Sequence, residues 1–192
     1  MDLPIEKFIT NYKLKLDSVW EYLDDANIEI LANELFDAWK KNKNVFVCGN
    51  GGSAANANHL ANDLLYGIHP EGNGIKIHSL CSNISVNTCL ANDTGYEHIF
   101  SKQLSSLGAK EDLLIVMSGS GNSRNIIEAL NQAKEMGIRT HGMLGYDGGR
   151  CIEIVDNAIH FKIQNMQIAE DMQMIIGHIL TERLRDIRKK LK

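Results

Sequence analysis

Residues 45–65 read VFVCGNGGSAANANHLANDLL. A short apolar run, Val45 to Cys48, ends in Gly49-Asn50-Gly51-Gly52-Ser53, and a helix-forming segment follows at once. A strand that passes through a glycine-rich turn into a helix start aims backbone N–H groups and the positive end of the helix dipole at an anion, usually a phosphate. Inside that helix His59 and Asp63 stand four residues apart, so their side chains share one face. The stretch predicts an anion cradle beside a histidine–carboxylate pair. It also sets the reading frame for the rest of the chain, which should alternate strand and helix.

Downstream the alternation continues. Strands are predicted at 45–48, 75–80, 113–117, 140–144 and 158–163, with helices at 53–65, 84–90, 97–107, 122–136, 150–155 and about 167–190. Several of the strands are near-continuous apolar runs, as expected when helices cover both faces of a parallel sheet. Upstream, Ile5, Phe8, Ile9, Tyr12, Leu16, Val19, Trp20 and Leu23 recur at steps of three and four, which predicts a helix of about five turns. Ile30, Leu31, Leu35, Phe36 and Trp39 mark a second helix. The expectation is one domain over 1–192, with residues 1–42 as a helical extension and 43–192 as the α/β core. The extension carries more apolar surface than such a core covers, which points to a subunit interface.

Composition narrows the class. A chain of 192 residues buries roughly 70% of its unfolded surface and needs no disulfide or structural metal to fold. Charged residues make up 23% with a net charge of −4, mixed along the chain, so no nucleic-acid partner is expected. The basic end (Arg183, Arg185, Arg188, Lys189, Lys190, Lys192) complements a helix C-terminal dipole. No apolar run approaches ~18 residues and the N-terminus lacks a targeting pattern, so no membrane partner and a cytoplasmic location are expected. Cys48, Cys81, Cys89 and Cys151 have no CxxC spacing and read as small buried hydrophobes.

A second strand-to-helix junction repeats the logic of the first. The run Leu113 to Met117 enters Ser118-Gly119-Ser120-Gly121-Asn122-Ser123 before Arg124-Asn125-Ile126-Ile127. One helix N-cap needs one serine, so three hydroxyls with two glycines at a strand end read as a phosphate nest. Neither GxxxxGK[ST] nor GxGxxG is present, which disfavours a nucleotide cofactor. Near the end, His178 stands among Ile175, Ile176, Ile179 and Leu180 in the closing helix. Asp147, in Gly145-Tyr146-Asp147-Gly148-Gly149, reads as a turn former.

CGNGGSAANANH, AND at 91–93, SGSGNSRNI and GYDGG, in this order and each at a strand or helix end, resemble the sugar isomerase (SIS) domain family from about Leu3 onward, and within it the branch acting on phosphorylated heptoses. The resemblance implies a five-stranded parallel sheet flanked by helices and a homotetramer with active sites between subunits. It implies isomerisation of sedoheptulose 7-phosphate to a heptose 7-phosphate that supplies surface polysaccharide, with one zinc or other divalent ion per site in some members. By the same resemblance Ser53, Ser118, Ser120, Ser123 and the Gly119 N–H hold the phosphate. Asn50, Gly51 and Gly52 lie along the sugar, and Asn92 and Asp93 contact its hydroxyls. His59, Asp63, Glu170 and His178 would form the metal set, with Asp63, Glu170 and His178 catalytic.

Two positions depart from the family pattern. Asp63 replaces a glutamate and is one methylene shorter, a displacement of about 1 Å that can cost roughly a hundredfold in rate. Glu170 replaces a glutamine, with Ile168 in place of an arginine two residues before it. Angular spacing alone would favour Asp171 over Glu170 as the partner of His178, since seven residues leave ~20° and eight ~80°; the resemblance favours Glu170. Two competing readings stand beside the isomerase. One is a non-catalytic sugar-phosphate binder, like the replication initiator-associating protein of this fold, and the other is an isomerase of a different sugar phosphate.

Overall fold

The computed structural model describes residues 4–190. Helices α1 (Ile5–Trp20) and α2 (Asp25–Lys40) precede the sheet. Strands β1 (Asn44–Gly49), β2 (Lys76–Ser79), β3 (Leu113–Ser118), β4 (Arg139–Leu144) and β5 (Asn157–His160) then alternate with α3 (Gly52–Asn62), α4 (Ile84–Thr94), α5 (Ser101–Leu107), α6 (Arg124–Met136) and α7 (Cys151–Ile154). The long α8 (Met166–Lys190) closes the chain. All four strand pairings are parallel and the order is β2-β1-β3-β4-β5, as the resemblance implied.

Alternation along the strands divides the core in two. Val45, Val47, Leu113, Ile115, Met117 and Met143 face Leu31, Leu35, Leu60, Met172, Ile176 and Leu180 on α2, α3 and α8. Phe46, Cys48, Leu114, Val116 and Leu144 face Leu104, Ile126, Leu130 and Ala133 on α5 and α6. A period of two on a sheet buried on both sides explains why the strands read as unbroken apolar runs.

The two leading helices differ in what covers them. Helix α2, capped by Asp24 Oδ1 accepting from the Ala26 N–H at 3.0 Å, buries Leu31, Ala32, Leu35 and Ala38 against the sheet. Helix α1 buries only Val19, and Ile5, Phe8 and Ile9 remain 65%, 56% and 48% exposed. The covered half of the extension is thus α2, and the apolar stripe left open belongs to α1.

Several local expectations are corrected. The helix expected at 53–65 leaves α geometry at Asn62 and continues as a π turn, Asp63–Gly67, a form often found at functional sites. The segment expected as one helix at 97–107 is a 3₁₀ turn, Tyr96–His98, followed by α5. Cys48 and Cys151 are buried, but Cys81 is half-buried and Cys89 exposed, because α4 buries none of its residues. Among the described residues no helix is long and apolar enough to cross a membrane.

One buried polar group ties α2 to the sheet. His141 on β4 is 1% exposed and its Nε2 meets Glu34 Oε2, while Arg139 Nη1–H donates to Glu34 Oε1 at 3.0 Å. Burial pushes the Glu34 carboxyl up, but the hydrogen bond and attraction from His141, with Arg139 behind them, hold it below its ordinary value of 4.5. A carboxyl with a depressed folded pKa stabilises the fold above its unfolded pKa and loses that contribution as pH falls through the folded value. Glu34→Gln should therefore cost about 1–3 kcal/mol near neutral pH. In denaturant titrations the two proteins should converge as pH is lowered below about 4.5, the ordinary value.

Candidate active site

In the order β2-β1-β3 the chain steps to opposite sides of β1, so the crevice between the carboxyl ends of β1 and β3 is a topological switch point, where open α/β sheets bind ligands. Gly49 pairs with Met117 in the ladder, which sets the two glycine-rich loops side by side. A Cβ on Gly49 would stand 2.6 Å from the Ser53 carbonyl oxygen, so the tight entry into α3 requires glycine there. Gly51 caps α3 with φ +55 and faces open space. Ser53, 3% exposed, stands in the first turn of α3.

The second loop is held by its own serines and by the GYDGG segment. Ser118 Oγ, buried, accepts from the Gly121 N–H at 3.0 Å, and Ser120 Oγ accepts from the Asn122 N–H at 3.3 Å. Gly121 (φ +64) packs so closely on Gly148 that a Cβ would sit 1.9 Å from its carbonyl oxygen. The Cys151 N–H donates to Gly121 O at 2.9 Å and the Arg150 N–H to Asn122 Oδ1 at 3.1 Å. Asp147 Oδ1 accepts from the Gly149 N–H at 3.0 Å, which is the turn expected of it. Met166 covers Gly119. Ser123 stands at the N-cap of α6 without a capping bond from its hydroxyl. The AND motif lies on the unburied α4, where Asp93 accepts from Asn92 Nδ2 at 2.8 Å and from the Cys89 thiol at 3.5 Å.

Helix α8 runs parallel to α3. Glu170 lies against Gly52, Asn56 Nδ2 donates to Glu170 O (2.9 Å) and Gln173 Oε1 (3.1 Å), Gly177 packs on Leu60, and Arg185 Nε donates to Gly67 O at 2.7 Å. This register brings His178 to His59. Their Nε2 atoms are 3.3 Å apart, and Asp63 Oδ2 is 3.6 Å from His59 Nε2 and 3.8 Å from His178 Nε2. The short Asp63 side chain thus reaches both histidines. These three donor atoms form one group that could hold an ion. Separations of 3.3–3.8 Å are of the order of those between neighbouring ligand atoms of a divalent ion such as zinc, and two imidazoles with a carboxylate are donors that suit one. The imidazoles are about half exposed and the carboxylate is 19% exposed.

Glu170 does not join that group. Within this chain its carboxylate lies over Gly52, where a Cβ would meet Oε2 at 2.3 Å. Eight helical residues place it about 12 Å along α8 from His178, a rise that an angular comparison of positions leaves out. Asp171, the alternative, is also elsewhere, accepting from the Tyr12 hydroxyl and pushing that phenol up to about 12. Two further residues that were given no role sit at the loops: Asn125, within SGSGNSRNI and in the first turn of α6, and Tyr96 after α4, both bonded to Asn50. Only the position of Asn125, just inside a serine-capped helix, could have flagged it.

Comparison with known proteins places this geometry. The profile of the SIS domain family matches residues 7–145. The chain is 36% identical over 176 residues to the phosphoheptose isomerase of a Nitratiruptor species, covering 92% of this chain and 94% of that protein. It is 34% identical over 182 residues to that of Helicobacter pylori (strain ATCC 700392 / 26695), covering 95% and 94%. Among solved structures, the phosphoheptose isomerase of Neisseria gonorrhoeae shares the fold with a TM-score of 0.86 at 24% identity, over 94% of this chain and 98% of that chain.

Because Gly121 has a positive φ and no space for a Cβ, Gly121→Ala is expected to pull the second loop away from Gly148. It should weaken inorganic-phosphate binding at least tenfold by calorimetry and cost about 1–3 kcal/mol of stability.

Proposed function

We propose that this chain, which belongs to the SIS domain family, is a ketose–aldose isomerase that interconverts sedoheptulose 7-phosphate and D-glycero-D-manno-heptose 7-phosphate. The observation that carries this reading is the placing of two chemistries on one helix. Ser53 starts α3 at the serine-lined loops, and His59 follows six residues later, a rise of about 9 Å. That is of the order of an extended seven-carbon chain with its phosphate. The phosphate would be held by Ser53, Ser118, Ser120, Ser123 and the Gly119 N–H. Asn50, Gly51 and Gly52 would follow the sugar, with Asn92 and Asp93 on its hydroxyls.

In the ketose-to-aldose direction a base removes a proton from C1, beside the C2 carbonyl, and an acid protonates the carbonyl oxygen to form the enediol. The proton on O1 then leaves as one is returned to C2. Asp63 and His178 are the groups at the reacting end of α3. We assign Asp63 to the carbon-bound proton and His178 to the oxygens. His59, Asp63 and His178 would hold a divalent ion such as zinc, which when bound polarises the carbonyl as a Lewis acid. Glu170, over Gly52, is assigned to the sugar chain rather than to the ion. No nucleotide cofactor takes part.

What one chain leaves open supports an assembly of subunits. The apolar face of α1 is exposed, and α4, which carries Asn92 and Asp93, buries no residue fully and packs on the core only through residues such as Leu90 and Ala91. A homotetramer with active sites between subunits would bury both. Residues 1–42 would then serve as the oligomerising extension of a single domain spanning 1–192. We place the enzyme in the cytoplasm, supplying heptose for surface polysaccharide.

The test is incubation of the purified protein with sedoheptulose 7-phosphate, with and without added zinc, while the aldose is followed by NMR. Appearance of the aldose supports the reading; none under either condition, with phosphate binding intact, sinks it in favour of a non-catalytic binder. His178→Asn is expected to lower turnover at least a hundredfold while sugar-phosphate affinity changes little. Glu170→Gln should leave metal content unchanged and shift KM; a loss of metal would return Glu170 to the ion.

A further inference from the structure

Asn50, the residue between β1 and the Gly51 cap of α3, makes more hydrogen bonds than a loop side chain needs. Its Oδ1 accepts from Asn125 Nδ2 at 2.8 Å and from the Tyr96 hydroxyl at 2.8 Å, and its Nδ2 donates to Asn125 Oδ1 at 2.9 Å. A carboxamide oxygen has two lone pairs and a carboxamide nitrogen two N–H groups. The oxygen is therefore saturated and one N–H remains. Asn125 is 1% exposed, so water does not compete for its side of the pair, and breaking the pair would strand a buried amide. A reciprocal amide pair can be reversed by turning both partners together. In the present sense the Tyr96 hydroxyl donates to Oδ1 and holds the amide from a third side.

We propose that Asn125 and Tyr96 are positioning residues that lock the Asn50 carboxamide so that it offers a single N–H donor to an oxygen of the bound sugar. The proposal rests on the sugar-phosphate reading above and deepens it. A locked donor recognises an acceptor, a carbonyl or hydroxyl oxygen of a polyhydroxylated chain, and contributes nothing to the phosphate itself. The same amide joins three segments that no sheet bond unites: the loop after β1, the first turn of α6 and the segment after α4. It sets the sugar side of the site relative to both anion loops. Tyr96 is 58% exposed, so its hydroxyl can be removed without opening a cavity.

The test compares two ligands on the full-length protein by calorimetry, sedoheptulose 7-phosphate and inorganic phosphate. Tyr96→Phe is expected to weaken the sugar phosphate about two- to tenfold, the range for loss of one neutral hydrogen bond. Inorganic-phosphate affinity and the thermal midpoint should be unchanged. Asn125→Ala should act in the same direction and more strongly, with its thermal midpoint measured because the residue is buried; Tyr96→Phe decides the matter if that variant fails to fold. Equal weakening of both ligands, or of neither, would overturn the proposal, as would a wild-type protein that binds the sugar phosphate no better than phosphate alone. A wild type that binds the sugar phosphate but forms no aldose refutes the isomerase and leaves this comparison to judge the lock.

Discussion

The parallel docking of α8 on α3 is the contact on which the site depends. Helices packed side by side in the same direction keep a fixed axial offset, because each residue adds the same rise to both. Asn56 donating to the Glu170 carbonyl and to Gln173 sets that offset, and Gly177 lets the backbones approach at Leu60. Once it is set, His178 has to arrive at His59 and Asp63, and Arg185 at the end of the π turn. The donor group is thus a product of helix packing between segments more than a hundred residues apart in the chain, and its precision is that of a packed core.

At the other end of α3 the constraint is steric. The loop after β1 turns so tightly on itself that only glycine fits at Gly49, against Ser53, and the loop after β3 packs so closely on the segment after β4 that only glycine fits at Gly121, against the Gly148 carbonyl. Such loops hold their N–H and hydroxyl groups in one arrangement, and preorganisation of that kind lowers the ordering cost of binding a ligand. The Asn50–Asn125 pair links them across the crevice by hydrogen bonds instead of contact. Rigid loops at the switch point and a rigid helix leading away from it give the site a fixed length as well as fixed chemistry.

Side-chain roles were legible where local spacing or turn chemistry carries them. His59 and Asp63 share a face by i,i+4 geometry alone, Asp147 fixes its turn, and the two serine–glycine loops announce themselves at strand ends. Glu170, set with the histidines by the resemblance, stands apart from them in this chain, about 12 Å along α8 from His178. The π turn after Asn62, the exposure of Cys89 and the junction at Asn50 carried no local signal. Each depends on what a neighbouring segment does or fails to cover.

By itself the sequence determined the class of fold and the family, because period-two strands, helical stripes and glycine-rich junctions are local consequences of backbone sterics and apolar burial. It also pointed to the residue types proposed for phosphate and for proton transfer. Only the tertiary structure decided which of them meet. His178 joins His59 and Asp63 while Glu170 stays at the loops, and Asn50 is saturated by Asn125 and Tyr96, because contacts between distant segments follow from helix register and strand order, which no local pattern encodes.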